Sequence, residues 1–146
     1  MRIILFLALI YPFTASFGQD TLCTSGIDTC RVGHFSEKAI GDAFILHGEF
    51  TEYHFGTKST KCTGSYSLGE LHGQIKYYNK ANKLIRDARY ANGILNGEAI
   101  DYYASGHIKQ RCLYINGKLQ GDKKLYEDGS TTPYLIEKYK MGIKTN

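Results

Sequence analysis

Tyr90-Ala91-Asn92-Gly93-Ile94-Leu95-Asn96-Gly97 is followed by Tyr114-Ile115-Asn116-Gly117-Lys118-Leu119-Gln120-Gly121, 24 residues further on. The same order stands upstream in Tyr66-Ser67-Leu68-Gly69, with Leu71 and Gly73 after it. A fourth Tyr-x-x-Gly occurs at Tyr139-Lys140-Met141-Gly142, and Gly48 extends the glycine series toward the N-terminus. A fixed period of this length marks a repeat array, in which each small unit buries its surface against the next.

The residues between these glycines read as strands. Gln74–Asn79, Leu84–Tyr90, Glu98–Tyr103 and Ile108–Tyr114 are rich in Ile, Tyr and Leu. Ala81-Asn82 and Ser105-Gly106 separate the members of each pair, and Asp128-Gly129 continues the rhythm. Asn-Gly and Asp-Gly adopt positive φ at low cost, as tight hairpin turns require. Strand, turn, strand, turn predicts an all-β protein: a single-layer twisted antiparallel sheet of consecutive hairpins. The units fall at 48–72, 73–96, 97–120 and 121–146, with 19–47 as an N-terminal cap. Gly69, Gly73, Gly93, Gly97, Gly117 and Gly121 are assigned to turns or bulges, several with positive φ. Pro133 falls in the last unit, where an edge strand tolerates a missing donor.

Equivalent positions of stacked units come into register, so the tyrosines should form two columns. One is Tyr53, Tyr78, Tyr102 and Tyr126; the other is Tyr66, Tyr90, Tyr114 and Tyr139. Gly64, Ala88 and Cys112 stand two residues before members of the second column, on the same strand face. Their small size leaves room over the sheet. Neither face is uniformly apolar, which argues against a thick sandwich with a dry core. Tyrosine suits such a sheet, because its ring supplies apolar area while its hydroxyl stays near water.

The first 18 residues have the form of a secretory signal peptide. Arg2 precedes an apolar run from Ile3 to Ile10, and Ser16-Phe17-Gly18 offers a small-residue cleavage site before Gln19. The run is shorter than the about 20 residues a membrane-spanning helix needs. An exported chain, periplasmic or extracellular, is expected. Cys23, Cys30, Cys62 and Cys112 all follow the cleavage point, and four cysteines in an exported chain suggest disulfides. Cys62 and Cys112 lie two units apart, about 19 Å at two strands per unit, so a bridge between them is disfavoured. Cys23 could close a small loop with Cys30. Alternatively, the N-terminal segment folds back and each of its cysteines pairs with one in the repeats.

Charge is uneven along the chain. From Gly73 onward thirteen Lys/Arg face seven Asp/Glu, whereas from Gln19 to His72 four face seven. Such a basic array favours an anionic partner or simply presents a solvated sheet face, and the solvated face has the larger weight.

No residue set demands catalysis. His47 and His72 occupy equivalent turn positions, but adjacent units hold them about 10 Å apart, too far to share an ion. His34, His54 and His107 show no ligand spacing, and no phosphate loop or nucleophile motif occurs. Glu98, Asp101 and Glu127 read as members of a solvated face. No catalytic, cofactor or metal site is therefore assigned. Nucleic acid is disfavoured as a partner, because export removes most of the opportunity.

The lattice Tyr-x-x-Gly-x-Leu-x-Gly, followed by a strand ending in tyrosine, resembles the MORN repeat and more closely its bacterial variant. Asn116-Gly117-Lys118-Leu119-Gln120-Gly121 is the best match, and Tyr102 to Lys109 matches the segment between. The resemblance covers Gly48 to Gly142 and implies a ladder of β-hairpins. Bacterial members often carry the label of YwqK-like antitoxin components, and MORN repeats elsewhere are associated with membrane attachment and scaffolding. The family supplies no catalytic residues. The expected function is an exported, non-enzymatic module that binds another protein through a tyrosine-rich sheet face. The alternatives are an anionic membrane surface, a cell-surface polysaccharide, or an antitoxin-like role implied by the family.

Overall fold

The computed structural model describes residues 2–5, 20–23, 30–40 and 43–145, and side chains within 37–40 and 45–145. The predicted signal cleavage site falls outside the described residues. Twelve strands form one sheet in sequence order. They are β1 (Arg2–Leu5), β2 (Asp20–Cys23), β3 (Cys30–Ile40), β4 (Ala43–Tyr53), β5 (Thr60–Ser67) and β6 (Glu70–Tyr78). The ladder continues through β7 (Leu84–Ala91), β8 (Ile94–Tyr102), β9 (Ile108–Ile115), β10 (Lys118–Tyr126), β11 (Pro133–Lys140) and β12 (Ile143–Thr145). β1 pairs with β2 in parallel. Every later pair is antiparallel, and β3 to β12 form an open meander of ten strands. No helix occurs among the described residues.

Two kinds of turn alternate. At the junctions between units, Leu68-Gly69, Asn92-Gly93, Asn116-Gly117 and Met141-Gly142 all have positive φ. Two successive residues of that kind make a hairpin turn whose twist matches the flanking strands. Each junction glycine also ties its unit to the one before. Gly69, Gly93, Gly117 and Gly142 donate their N–H to the carbonyls of Leu46, Leu71, Leu95 and Leu119 at 2.8–3.0 Å. The leucine of the motif thus marks the acceptor that the next junction turn uses. At the opposite end, Asn79 donates to the Lys83 carbonyl and Tyr103 to the His107 carbonyl, closing the distal turns.

The second glycine of each unit does something else. Gly48, Gly73, Gly97 and Gly121 lie inside β4, β6, β8 and β10, at positive φ. The ladder register shifts beside them. They are bulges, which bend a strand without ending it. The strands therefore begin earlier than their composition suggests: β6 starts at Glu70 rather than Gln74, and β8 at Ile94 rather than Glu98. Upstream, strands β2, β3 and the start of β4 continue the ladder within the stretch 19–47 expected to form the cap.

One face carries both clusters of buried residues. Register places Ile75 opposite Ala88, Ala88 opposite Ala99, and Ala99 opposite Cys112. Leu46, Phe50, Cys62, Tyr66 and Ile75 form the cluster toward the N-terminus. Ala88, Ala99 and Cys112 form the thinner cluster toward the C-terminus. Gly64 is small for a reason. A Cβ there would lie 2.3 Å from Ile75 Cδ1, so the space over Gly64 belongs to the isoleucine.

The alternative in which the N-terminal cysteines pair with those of the repeats is not realised. Cys62 and Cys112 are buried thiols. Cys62 Sγ donates to Glu52 Oε2, and Cys112 Sγ to the Ala99 carbonyl, each at 3.6 Å. The reason is topological. The N-terminal segment extends the ladder strand by strand, so it does not fold back over β5 or β9. Cys23 and Cys30 are direct register partners in β2 and β3, with side chains outside the described residues.

Candidate functional site

Strand parity divides the two tyrosine columns. Residues directly opposite in an antiparallel pair share a face, and neighbours along a strand alternate. Tyr66 pairs with Leu71, Tyr90 with Leu95, and Tyr114 with Leu119. Ile75 and Tyr77 follow Leu71 on that same face, within or against the buried cluster. Tyr78 therefore points to the opposite face, and its equivalents Tyr53, Tyr102 and Tyr126 follow it at the distal end. The electrostatic neighbours of Tyr102 (Asp87, Arg111 and Glu98) belong to that opposite face. The eight tyrosines do not line one surface. Tyr66 lies in the core and Tyr77, Tyr90 and Tyr114 pack against it, whereas Tyr126 is buried on the opposite face.

Beside that column runs a row of polar side chains that composition did not reveal. Register aligns Glu52 with Cys62, Cys62 with Tyr77, Tyr77 with Arg86, Arg86 with Asp101, and Asp101 with Gln110. Arg86 Nη1 lies 3.5 Å from Asp101 Oδ1. Gln110 Nε2 donates to Asp101 Oδ2 at 2.8 Å. The Tyr77 hydroxyl donates to the Tyr90 hydroxyl at 3.1 Å, linking the row to the column. Asp101 is therefore not on the solvated face expected for it. Glu98 is, and it meets Arg111 there at 3.3 Å. The doublet Tyr77-Tyr78 holds the missed signal, since counting parity from the junction turn puts only the first on the buried face.

Burial sets the protonation of this face. It raises the Tyr77 pKa well above the ordinary value, reinforced by the hydrogen bond to Tyr90. Burial also pushes the Cys112 thiol up, and burial with the adjacent Cys112 raises Tyr114. All three stay protonated near neutrality, so the face offers hydroxyl donors and apolar ring edges. A deprotonated nucleophile is not among them.

At the N-terminal end of the row, Glu52 is buried, 2% exposed. Lys61 Nζ contacts its Oε1 at 2.7 Å, and the Cys62 thiol its other oxygen. A shallow depression of about 340 Å³ opens here between Phe50, Glu52, Cys62, Leu71, Ile75 and Tyr77. Among the described residues no group of three or more His, Cys, Asp or Glu is placed to hold a metal ion. His47 accepts from the Leu68 N–H, and His54 contacts the Tyr78 carbonyl. His107 meets Asp128 and Ser105 across an exposed distal turn. Each of these three binds the neighbouring unit. No helix among the described residues is long and apolar enough to cross a membrane.

No protein-family model matches the chain, and no curated protein matches it at significant similarity.

Proposed function

We propose that this chain is a non-enzymatic binding or scaffolding module that engages another protein through the half-buried face of its hairpin ladder. The observation that carries this reading is the column Tyr66, Tyr90, Tyr114 and Tyr139 flanked by Leu71, Leu95 and Leu119. Arg86, Asp101 and Gln110 lie alongside it. Tyrosine and arginine beside aliphatic side chains are the composition of interface cores. The raised pKa of the Cys112 thiol supports a non-catalytic role. The glycine–tyrosine lattice is the ground for placing the chain near the MORN repeats and their scaffolding roles. Export would follow from cleavage after Gly18, which would remove β1 and leave β2 at the sheet edge. N-terminal sequencing of the mature chain tests that step.

The test of the binding reading is a pull-down from the native envelope fraction with the wild-type chain and a Tyr90→Ala/Tyr114→Ala variant. A partner retained by the first and lost by the second supports it. Equal capture by both, or nothing above a charge-matched control, removes its basis. A second reading rests on the Lys/Arg excess from Gly73 onward: docking on an anionic membrane surface. Sedimentation with anionic vesicles at low and high salt separates the two, because charge-driven binding weakens steeply with salt.

A further inference from the structure

The face opposite the buried one has its own order. Glu49, Glu70, Ile94, Leu113, Ile115, Lys118, Lys138 and Lys140 all belong to it, by the pairings Glu49–Ser65, Ser67–Glu70, Ala91–Ile94, Glu98–Leu113, Ile115–Lys118 and Asp122–Lys138. Read from β4 to β11, the face passes from acidic to apolar to basic. Glu49 and Glu70 are exposed at the acidic end. Ile94, Leu113 and Ile115 are exposed in the middle, at 51%, 41% and 42%. Lys118, Lys138 and Lys140 are exposed at the basic end, with Lys124 half-buried beside them and Asp122 the one acid between. Charges nearer the middle are matched in part; Arg89 on β7, opposite Gln74, is exposed on this face without an ion pair among the described residues. Arg111 pairs with Glu98, and Lys76 stands opposite Asp87, which also accepts from Gln74. No ion pair among the described residues involves Glu49, Glu70, Lys118, Lys124, Lys138 or Lys140.

A surface with opposite charges at its ends and an apolar centre is complementary to itself after a two-fold rotation. We propose that this face binds a second copy of the chain in an antiparallel, isologous dimer. Such an interface uses the same patch on both partners, so each residue pair occurs twice. Glu49 and Glu70 of one copy meet the basic end of the other, and the axis passes between β7 and β8. The spacing fits. The acidic end centres on β5 and the basic end on β10, five strand intervals apart, about 24 Å at about 4.8 Å each. That exceeds the Debye length of about 8 Å at physiological salt, so the two ends do not neutralise each other within one copy. Their midpoint falls between β7 and β8, beside the exposed isoleucines and leucine. Acidic or lipid partners would be served by the basic end alone. The ordered gradient, with its apolar middle, favours a second copy.

Sedimentation equilibrium of the purified chain tests the proposal, with circular dichroism confirming that each variant folds. The wild type is expected to dimerise at micromolar concentration in low salt. Lys118→Glu/Lys138→Glu/Lys140→Glu and Glu49→Lys/Glu70→Lys should each weaken self-association by about tenfold or more, because like charges then face each other. An equimolar mixture of the two variants should recover dimer within about threefold of wild type, since the reversed charges match again. Leu113→Asp should abolish it from the centre. A wild type that stays monomeric at about 100 μM, or variants that fail to rescue each other, overturns the proposal. So does a monomer that sediments with anionic vesicles, which would assign the basic end to lipid.

Discussion

Replacing Gly64 with alanine probes the packing of the buried face at one atom. The added Cβ would lie 2.3 Å from Ile75 Cδ1, 3.1 Å from the Gln74 carbonyl oxygen and 3.3 Å from Ile75 Cα. The first contact is impossible without movement, and Ile75 is fully buried, so moving its side chain disturbs the packing around it. Overpacking of this kind costs about 1–3 kcal/mol. Ile75→Val removes Cδ1, the clashing atom, and on its own costs about 0.5–1.5 kcal/mol. The double variant should then be less destabilised than the sum of the two, by a coupling of about 1 kcal/mol. The rescue is partial because the two backbone contacts remain. The assay is a double-mutant cycle from urea unfolding, read together with hydrogen exchange of the β5 and β6 amides. Additivity within about 0.3 kcal/mol would show that Gly64 and Ile75 do not share the space assigned to them.

Gly117→Val should destabilise the ladder by more than about 1 kcal/mol, since a Cβ at φ +76 is strained and also meets Ile94 Cγ2 at 3.2 Å. Lys109→Val should cost less, losing at most a weak contact with the Tyr103 ring, and hydrogen exchange should show the Gly117 variant fraying from Asp122 to Tyr139. Leu68→Asn should raise stability by about 0.5–1 kcal/mol in urea melts, because Leu68 sits at φ 50° where two other junctions carry asparagine. Hydrogen bonds from Ser105 and His107 hold the Asp128 pKa below its ordinary 3.8. Its contribution is thus present above that value and fades as pH falls through the lower folded-state pKa, an effect that an NMR titration should show and Asp128→Asn should abolish. Cys112 should react with a thiol reagent far more slowly in the native chain than in urea, as burial both covers it and raises its pKa.

The repeat and its turns were legible because they are local chemistry. Asn92-Gly93 and Asn116-Gly117 announce positive φ within two residues, and the period carries the rest. Strand starts were hidden by the same residue type. Gly73, Gly97 and Gly121 read as breaks, yet they bend strands that continue past them. The candidate site was legible only in part. Ala88 and Cys112 were recognisable as small residues beside the tyrosine column, while the row from Glu52 to Gln110 depends on cross-strand register. Register is set by bulges whose position a one-dimensional pattern does not show. The same dependence explains Asp101, whose charge suggested solvent but whose partner Arg86 comes from the adjacent strand.

The ladder itself is tested most directly by nuclear Overhauser contacts in solution along the buried row. Contacts should link Ile75 to Ala88, Ala88 to Ala99, and Ala99 to Cys112, each residue touching only its register neighbours along that row. Direct contacts from Ile75 to Ala99 or Cys112 would mean that the sheet folds back on itself into a second layer, contradicting the single-layer account.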